Sequence, residues 1–307
     1  MGITRGSARL LLEESKRRPF EGSALELGKM FVFFDQDDLA GWARRHETSL
    51  ATGVEVRPSH EPMLASHGCM DDTSFFRLLG FDRVTSVDAT DWEGADVVAD
   101  LNQPLPEALH GQYDLVFEGG TLQSIFDTRQ AMRNIHSALR PGGRVVHAMT
   151  PVNNQVDLGF YMFSPTFFVD YYEANGWTLE TVLLCEHMMY WVAGRVETGP
   201  WDVYRYEPGC LDNLSYGRYG GKQASLFMVA TKHEATTADV IPQQSYYRRL
   251  WDEDSAERRR ALEARAEQIA AKRWWYGSHL YDRYKRFTEV LRRGWLPRPM
   301  PPKVARL

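Results

Sequence analysis

The sequence has few cysteines, and they lie far apart. Cys69, Cys185 and Cys210 are the three thiols in a chain of 307 residues. Their wide spacing fits neither a metal-binding motif nor a disulfide framework. We therefore predict a reducing compartment for this chain, and with it a cytoplasmic location.

Long apolar runs are also missing. Near the N-terminus the longest run is Leu10, Leu11 and Leu12, which is far shorter than the core of a signal peptide. No segment approaches the roughly 20 apolar residues that a membrane-spanning helix requires. These two observations argue against a secreted protein and against a membrane partner.

An excess of positive charge is missing too, because the formal net charge is -5. Broad binding to nucleic acid needs a positive field, so we expect no nucleic-acid partner. No Gly-x-Gly-x-x-Gly motif follows a predicted strand, which argues against a nicotinamide-dependent dehydrogenase. The shares of hydrophobic and charged residues, 43% and 25%, are those of an ordinary globular protein.

What the sequence does contain is a regular alternation of apolar segments with helical patterns. Five short segments predict strands, at residues 23–27, 84–87, 96–99, 113–117 and 144–149. Before the last of them, Ile125, Met132, Ile135 and Leu139 recur at roughly helical spacing. Strands that alternate with helices predict a parallel sheet with helices on both faces.

The rest of the chain completes the predicted organisation. Residues 177–184 and 225–231 predict two further strands, an antiparallel pair at the edge of the sheet. We therefore predict an α/β fold with a doubly wound, mostly parallel, seven-stranded sheet. The predicted domains are a helical lead-in at 1–22, an α/β domain at 23–235 with an aromatic insert at about 188–220, and a helical extension at 236–307. The proline-rich, basic tail from residue 297 is expected to have little order.

Four stretches carry a resemblance to a known family. They are SVDATD at 86–91, ADLNQPLP at 99–106, YDLVFEGGTLQSIFD at 113–127 and ALRPGGRVVHAMTP at 138–151. These stretches resemble class I S-adenosylmethionine-dependent methyltransferases. The closest likeness is to a bacterial branch that has a sparse first glycine motif and an Asn-Asn pair after the fifth strand. The resemblance implies a methyltransferase-type Rossmann-like fold, with S-adenosylmethionine as the cofactor.

The same resemblance implies a set of cofactor-binding residues beyond the carboxyl ends of the strands, where ligands of open α/β sheets bind. They are Gly28, Asp88, Asp100, Glu118, Gly119 and Gly120. Asp88 would accept the ribose hydroxyls and Asp100 would meet the adenine amine. The alternative role for either aspartate is that of an ordinary turn residue. Gly119 and Gly120 would allow close approach of the backbone to the methionine part of the cofactor.

The predicted acceptor side follows the fifth strand. Its candidate substrate-binding residues are Asn153, Asn154, Tyr161, Tyr190 and Trp191. The last two belong to the aromatic insert, whose large rings with polar tips suit a small organic acceptor or a sugar. The insert is equally compatible with a packed lid or with the surface of a homodimer.

The sequence departs from the family pattern in two ways. Only Gly28 remains of the first glycine motif, and Lys29 and Met30 are expected to crowd the path of the cofactor. Histidines that this branch tends to carry after the fourth and fifth strands are replaced, by Gln123-Ser124 and by Asp157-Leu158-Gly159. A general base would then have to lie elsewhere, or the acceptor would need none.

Four other histidines are candidates for functional groups. His187, at the end of a predicted strand, is the best remaining candidate for a catalytic base. His147 lies within a predicted buried strand, where we expect a hydrogen-bonded core residue. His60, His67 and Cys69 share one loop, but no paired cluster lies elsewhere, so we predict no metal site.

Two functions follow from these observations. The first is methyl transfer from S-adenosylmethionine to an O or N atom of a small molecule, either a specialised metabolite or a saccharide. The alternative is a protein of the same fold that does not methylate and acts as a binding or assembly subunit, or one that runs other chemistry. The sparse loop at Gly28 favours the alternative, and the retained Asp88 and Asn153-Asn154 favour the enzyme.

Overall fold

A computed structural model describes most of the α/β region of the chain. The described residues are 2–192, 195–198, 200–211, 221–245, 247–248 and 300–307, with ten single or paired positions between 260 and 288. Part of the aromatic insert and most of the predicted C-terminal extension therefore lie outside the described residues. The predicted domain boundaries remain predictions.

Six α-helices are described, namely α1 (Arg5–Arg17), α2 (Gln36–Arg45), α3 (Pro62–Ser66), α4 (Asp72–Leu79), α5 (Thr128–Ala138) and α6 (Pro165–Ala174). The strands are β1 (Gly2–Ile3), β2 (Ser23–Leu27), β3 (Phe31–Val32), β4 (Arg83–Asp88), β5 (Val97–Val98), β6 (Tyr113–Glu118), β7 (Leu139–Asn153), β8 (Thr178–His187), β9 (Met189–Val192), β10 (Arg195–Thr198), β11 (Asp202–Arg205), β12 (Gln223–Thr231) and β13 (Lys303–Arg306). None of the helices in this part of the chain is long and apolar enough to cross a membrane.

The main sheet has the order β13-β11-β8-β12-β7-β6-β2-β4-β5. From β5 to β7 all neighbouring strands are parallel, and their order is that of a doubly wound sheet. β12 runs antiparallel between β7 and β8. The predicted α/β class with a doubly wound, mostly parallel sheet is confirmed.

Two details of the sheet differ from the prediction. The sheet has nine described strands and not seven, because β11 and β13 continue it beyond β8. The antiparallel pair of β8 and β12 is therefore internal and not at the edge. The tail is also better ordered than predicted, since residues 303–306 form β13 and pair with β11. The sequence gives little sign of this pairing, because a short basic segment after several prolines has no strand pattern.

Helices cover both faces of the sheet. The predicted N-terminal helix is α1, and its Leu11 lies in the same core as Phe75 of α4 and Phe117 of β6. On the opposite face, Ile135 of α5 and Phe168 of α6 pack in a second core. Burying both faces explains why the central strands read as nearly continuous apolar runs.

The chain between β2 and β4 is unusually long for a connection of two adjacent parallel strands. It contains β3, α2, α3 and α4, and a bridge between Pro58 and Met70 closes the segment that we expected to be mostly loop. Asp71 caps α4, because its side chain accepts the backbone N–H of Ser74. The N-terminus of α4 is thereby placed next to the loop that follows β2.

Candidate functional site

The candidate site lies at the carboxyl ends of β2, β4 and β6. Chain order reverses between β2 and β6, and such a switch point is where ligands of doubly wound sheets bind. The chain leaves β2 through Gly28, whose φ of +85° favours glycine. The N–H of Gly28 donates to the carbonyl of Val87 over 2.7 Å, which anchors the loop to β4.

Asp88 ends β4 beside this loop and is half-buried. Its Oδ2 accepts the backbone N–H of Lys29 over 3.0 Å, and its Oδ1 accepts the N–H of Ala89 over 2.7 Å. Each carboxylate oxygen can accept two hydrogen bonds, so each has one acceptor position left. The side chain therefore holds the loop in place and still has the capacity to accept two hydroxyl groups.

Asp100 is exposed and forms a local turn. Its Oδ1 accepts the backbone N–H and the side-chain amide of Asn102, over 2.9 and 2.8 Å. These hydrogen bonds hold the pKa of the Asp100 carboxyl below its usual value. Asp100 thus has the contacts of an ordinary turn residue, which was the alternative to adenine binding. Its role toward adenine stays a prediction.

Lys29 and Met30 turn their side chains into the protein. The Lys29 ammonium lies 2.8 Å from Oδ1 of Asp72, and the backbone N–H of Met30 donates to Oδ2 of the same carboxylate over 3.2 Å. Met30 is fully buried. A Cβ on Gly119 would lie 2.8 Å from the Met30 sulfur, so this contact requires glycine. Met30 therefore packs against the turn after β6, while Lys29 reaches Asp72 at the start of α4.

Glu26 lies under the same loop and is fully buried. Its carboxyl lies against that of Asp72, and no other described group hydrogen-bonds to it. Burial, and then the charge of Asp72, raise the pKa of Glu26 well above its usual value. An acid at this position in the otherwise apolar strand SALEL is a signal that the sequence reasoning missed.

Glu118, at the end of β6, is also fully buried, but both of its carboxylate oxygens accept hydrogen bonds. Its Oε1 accepts the backbone N–H groups of Gly120, Thr121 and Leu122, over 2.7, 2.5 and 3.1 Å. Its Oε2 accepts the Thr150 hydroxyl over 2.7 Å and lies 3.1 Å from Nδ1 of His147. Glu118 thus shapes the Gly119-Gly120 turn, and a direct contact between its carboxylate and a cofactor stays a prediction.

The electrostatics of Glu118 depend on these donors. Burial by itself would raise the pKa of the carboxyl, but the hydrogen bonds from His147 and Thr150 outweigh it and hold the pKa below its usual value. Nε2 of His147 lies 2.7 Å from the Tyr172 hydroxyl. Both ring nitrogens of this buried histidine are therefore engaged, and the prediction of a hydrogen-bonded core histidine is confirmed.

The predicted acceptor side forms a rim after β7. Asn153 ends the strand and is half-buried, while Asn154 has a φ of +58° and donates its side-chain amide to the carbonyl of Lys222 over 2.7 Å. The Tyr161 hydroxyl donates to the carbonyl of Phe126 over 2.9 Å. The Phe126 ring meets the Phe160 ring edge-on at 5.5 Å, and both rings are largely exposed. These two exposed rings extend the rim, and we did not predict them.

The aromatic insert contains a hairpin. Tyr190 and Trp191 lie in β9, which pairs antiparallel with β10. Their side chains lie outside what the structure describes. Their predicted role in binding the acceptor therefore stays a prediction.

His187, the predicted catalytic base, is enclosed. The residue is fully buried, its Nε2 lies 2.9 Å from the Ser225 hydroxyl, and its ring stacks on Trp201 at 4.9 Å. Desolvation lowers the pKa of His187 to about 4, so the imidazole is neutral at pH 7. The sequence placed the residue at a strand end, but the covering Trp201 comes from the segment before β11 and could not be foreseen. A catalytic role for His187 stays a prediction.

The loop that carries His60, His67 and Cys69 does not assemble a metal site. His60 stacks on Phe31 at 5.1 Å, and His67 follows the last turn of α3. Across the residues that the structure describes, no three His, Cys, Asp or Glu side chains form a group that could hold a metal ion.

Comparisons with known proteins give a likeness in structure only. No protein-family model matches the sequence, and no curated protein matches it. Similar solved structures include YcgJ of Bacillus subtilis, with 10% identity, a TM-score of 0.38, and coverage of 75% of this chain and 99% of that one. The N-methyltransferase NodS of Bradyrhizobium japonicum has 12% identity and a TM-score of 0.36, over 75% of this chain and 96% of that one.

A third similar structure is the 1,6-didemethyltoxoflavin-N1-methyltransferase of Burkholderia thailandensis, with bound 1,6-didemethyltoxoflavin and S-adenosylhomocysteine. It has 14% identity and a TM-score of 0.28, over 75% of this chain and 78% of that one. At identities and TM-scores this low, the likeness assigns neither a family nor a reaction to this chain.

Proposed function

We propose that this protein transfers a methyl group from S-adenosylmethionine to an O or N atom of a small molecule, such as a specialised metabolite or a saccharide. The observation that carries the proposal is Asp88. It is a half-buried carboxylate at the end of β4, next to the switch point of a doubly wound sheet, with one acceptor position left on each oxygen.

The residues around Asp88 fit the ribose end of this cofactor. Gly28 turns the chain so that the backbone N–H of Lys29 reaches the Asp88 carboxylate, and Glu118 holds the turn at Gly120 in a fixed shape. When bound, the cofactor would supply a methyl group on a positively charged sulfur. The chain's part is to hold the ribose at Asp88 and to orient the acceptor at Asn153 and Tyr161.

Positioning is the main catalytic contribution that we infer. Methyl transfer is an in-line displacement, and holding two reactants in line can supply much of the rate. A general base is needed only where the acceptor must lose a proton. His187 is enclosed beneath Trp201 and has a lowered pKa of about 4, which weighs against it as that base.

One observation favours the alternative, in which the protein binds a ligand or a partner and does not methylate. Lys29 and Met30 are buried, and Met30 is packed against Gly119. A loop filled in this way leaves less room for the methionine part of the cofactor than for its nucleoside part. Binding of the complete cofactor therefore separates the two functions.

The test is calorimetric titration of the purified protein with S-adenosylhomocysteine. Asp88→Asn is the informative variant, because its amide oxygen still accepts the Lys29 N–H while the second acceptor oxygen is lost. We expect micromolar binding by the unchanged protein and a loss of about tenfold or more in Asp88→Asn, since hydrogen bonds to charged groups are the strong ones. Asp91→Asn, an exposed aspartate in the same loop, is the matched control.

The results of this titration distinguish the two functions. Binding that is weakened in Asp88→Asn and unchanged in Asp91→Asn supports the cofactor site and justifies a screen of acceptors. No binding by the unchanged protein, with and without candidate acceptors, contradicts methyl transfer and favours the alternative.

A further inference from the structure

Large apolar side chains are exposed on two adjoining segments, the loop after β7 and the segment between β6 and α5. Val156, Leu158 and Phe160 belong to the first segment and Phe126 to the second, and the exposed fraction of each lies between 55% and 78%. Single exposed apolar residues are common on protein surfaces, whereas a group of them marks a surface that binds a ligand or a partner.

The backbone fixes the position of the two phenylalanines in this group. The carbonyl of Gln123 accepts the N–H of Phe160 over 2.7 Å and the N–H of Tyr161 over 3.3 Å. The Tyr161 hydroxyl in turn donates to the carbonyl of Phe126 over 2.9 Å. A Cβ on Gly159 would lie 2.6 Å from the Gln123 carbonyl oxygen, so the close approach of the two segments requires glycine. Phe126 and Phe160 are therefore held in place by the protein itself.

The two rings stand perpendicular to each other. Their centroids are 5.5 Å apart and their planes meet at 89°, an arrangement that we call the aromatic corner. The half-buried Tyr161 ring lies 6.2 Å from Phe160 and 6.4 Å from Phe126. A third flat ring can stack on one ring of the corner and meet the other edge-on, and both are arrangements that aromatic pairs prefer.

The aromatic corner is tied to the candidate site. Gln123, which holds the loop after β7, also donates its side-chain amide to the carbonyl of Gly120. Asp127 follows Phe126, and its backbone N–H donates to the side-chain oxygen of Asn102 in the turn after β5 over 2.9 Å. The corner is therefore built from the segments that follow β6 and β7, the side of the sheet where we expect the acceptor.

The chemistry of the loop after β7 favours one class of acceptor. A saccharide carries many hydroxyl groups, and each that is removed from water needs a hydrogen-bond partner. Between residues 156 and 160, Asp157 is the one residue with a polar side chain. A flat aromatic molecule needs few such partners and gains from contact with rings.

We propose that Phe126 and Phe160 bind the ring of a planar aromatic acceptor, an aromatic amine or a phenol, and not a saccharide. The inference rests on the proposed function, because the acceptor is the molecule that receives the methyl group. In that transfer a lone pair of the acceptor nitrogen or oxygen forms the bond to the methyl carbon. The bond from that carbon to the sulfonium breaks, the sulfur keeps its electron pair, and the acceptor proton leaves to water.

The experiment is an NMR saturation-transfer titration of the full chain with two probes, in the presence of S-adenosylhomocysteine. The probes are 2-naphthol and decahydro-2-naphthol, which share a carbon skeleton and a hydroxyl group, although only the first is flat and aromatic. Phe160→Leu removes the ring and keeps an apolar side chain, whereas Phe160→Tyr keeps the ring. Trp92→Leu, which removes an exposed ring from the loop after β4, is the matched control. Phe126→Leu replaces Phe160→Leu if thermal unfolding shows that the latter is not folded.

We expect the unchanged protein to bind 2-naphthol about threefold to tenfold more tightly than decahydro-2-naphthol, the advantage that an aromatic pair has beyond its buried area. This preference should fall below about twofold in Phe160→Leu, because the side chain that stacks on the probe is no longer aromatic. It should persist in Phe160→Tyr and in Trp92→Leu.

Three results would overturn the aromatic acceptor. Equal binding of the two probes by the unchanged protein, or an equal loss of preference in Phe160→Leu and Trp92→Leu, would do so and leave the proposed function standing. Self-association of the unchanged protein in sedimentation, abolished by Phe160→Leu, would assign the rings to a second copy of the chain. If S-adenosylhomocysteine does not bind to the unchanged protein, the proposed function fails, and the acceptor class fails with it.

Discussion

Two buried glutamates on neighbouring strands differ in their hydrogen bonding and in the direction of their pKa shifts. Glu26 on β2 and Glu118 on β6 lie one register position apart, because Leu27 pairs with Glu118 and Glu26 pairs with Phe117. Glu118 accepts four hydrogen bonds from the chain and lies against His147. Glu26 lies against the Asp72 carboxyl and has no other hydrogen-bond partner in the described structure.

The pKa values of the two carboxyls move in opposite directions. Donors outweigh burial at Glu118 and lower its pKa, whereas burial and Asp72 raise the pKa of Glu26. We infer that Glu118 is a structural anion, because its carboxylate oxygens accept the hydrogen bonds that fix the turn after β6. Glu26 instead lies against the Asp72 carboxyl, and its raised pKa favours the protonated acid there.

The largest expected effect on stability comes from removing the Glu118 carboxylate. Glu118→Ala removes the acceptor of three backbone N–H groups and leaves them buried without a partner. We expect the free energy of unfolding to fall by about 3–5 kcal/mol, as when one partner of a buried charged network is removed. Urea denaturation at pH 7 measures it. The exposed Glu173→Ala is the control, and a similar loss in both variants would contradict the role given to Glu118.

A smaller effect on the free energy of unfolding is expected at Glu26, and it should depend on pH. The pKa of Glu26 is raised in the folded state above the ordinary value of 4.5. The neutral acid is therefore tolerated below that pH, and the folded state loses stability as the pH rises toward the folded-state pKa. Glu26→Gln stays neutral and should escape this loss.

We therefore expect Glu26→Gln to gain stability relative to the unchanged protein as the pH rises from 5 to 7, by up to about 1.4 kcal/mol per pH unit. Below pH 4 the two proteins should differ little. Denaturation curves at a series of pH values check this. A difference that is constant with pH would show that Glu26 is charged in the folded state, and the contrast with Glu118 would fail.

Much of the sheet could be predicted from the sequence, because its strands and helices follow local periodicity. The strands around Val87, Phe117 and Val146 lie where the apolar spacing placed them. The predicted helix is α5, but it is shorter than its pattern, because Ile125 precedes it and Leu139 already belongs to β7. The pairing of β13 with β11 could not be predicted, because it depends on contact between segments about a hundred residues apart in a short basic strand without a pattern.

The residues at the strand ends of the candidate site could be predicted from the sequence, but the contacts between its buried side chains could not. Asp88 and Gly28 follow from their place at strand ends, where the topology alone indicates a ligand. The pairing of Lys29 with Asp72 joins residues 43 positions apart, through an insertion whose fold has no simple period. The enclosure of His187 likewise depends on Trp201, whose place at the sheet is set by the pairing of β11.

The most direct test of the account is a crystal structure of the complex with S-adenosylhomocysteine. We predict that both ribose hydroxyls donate to Asp88 and that the methionine part of the ligand lies beside the Gly119-Gly120 turn. A ligand bound at another edge of the sheet, without a contact to Asp88, would contradict the account.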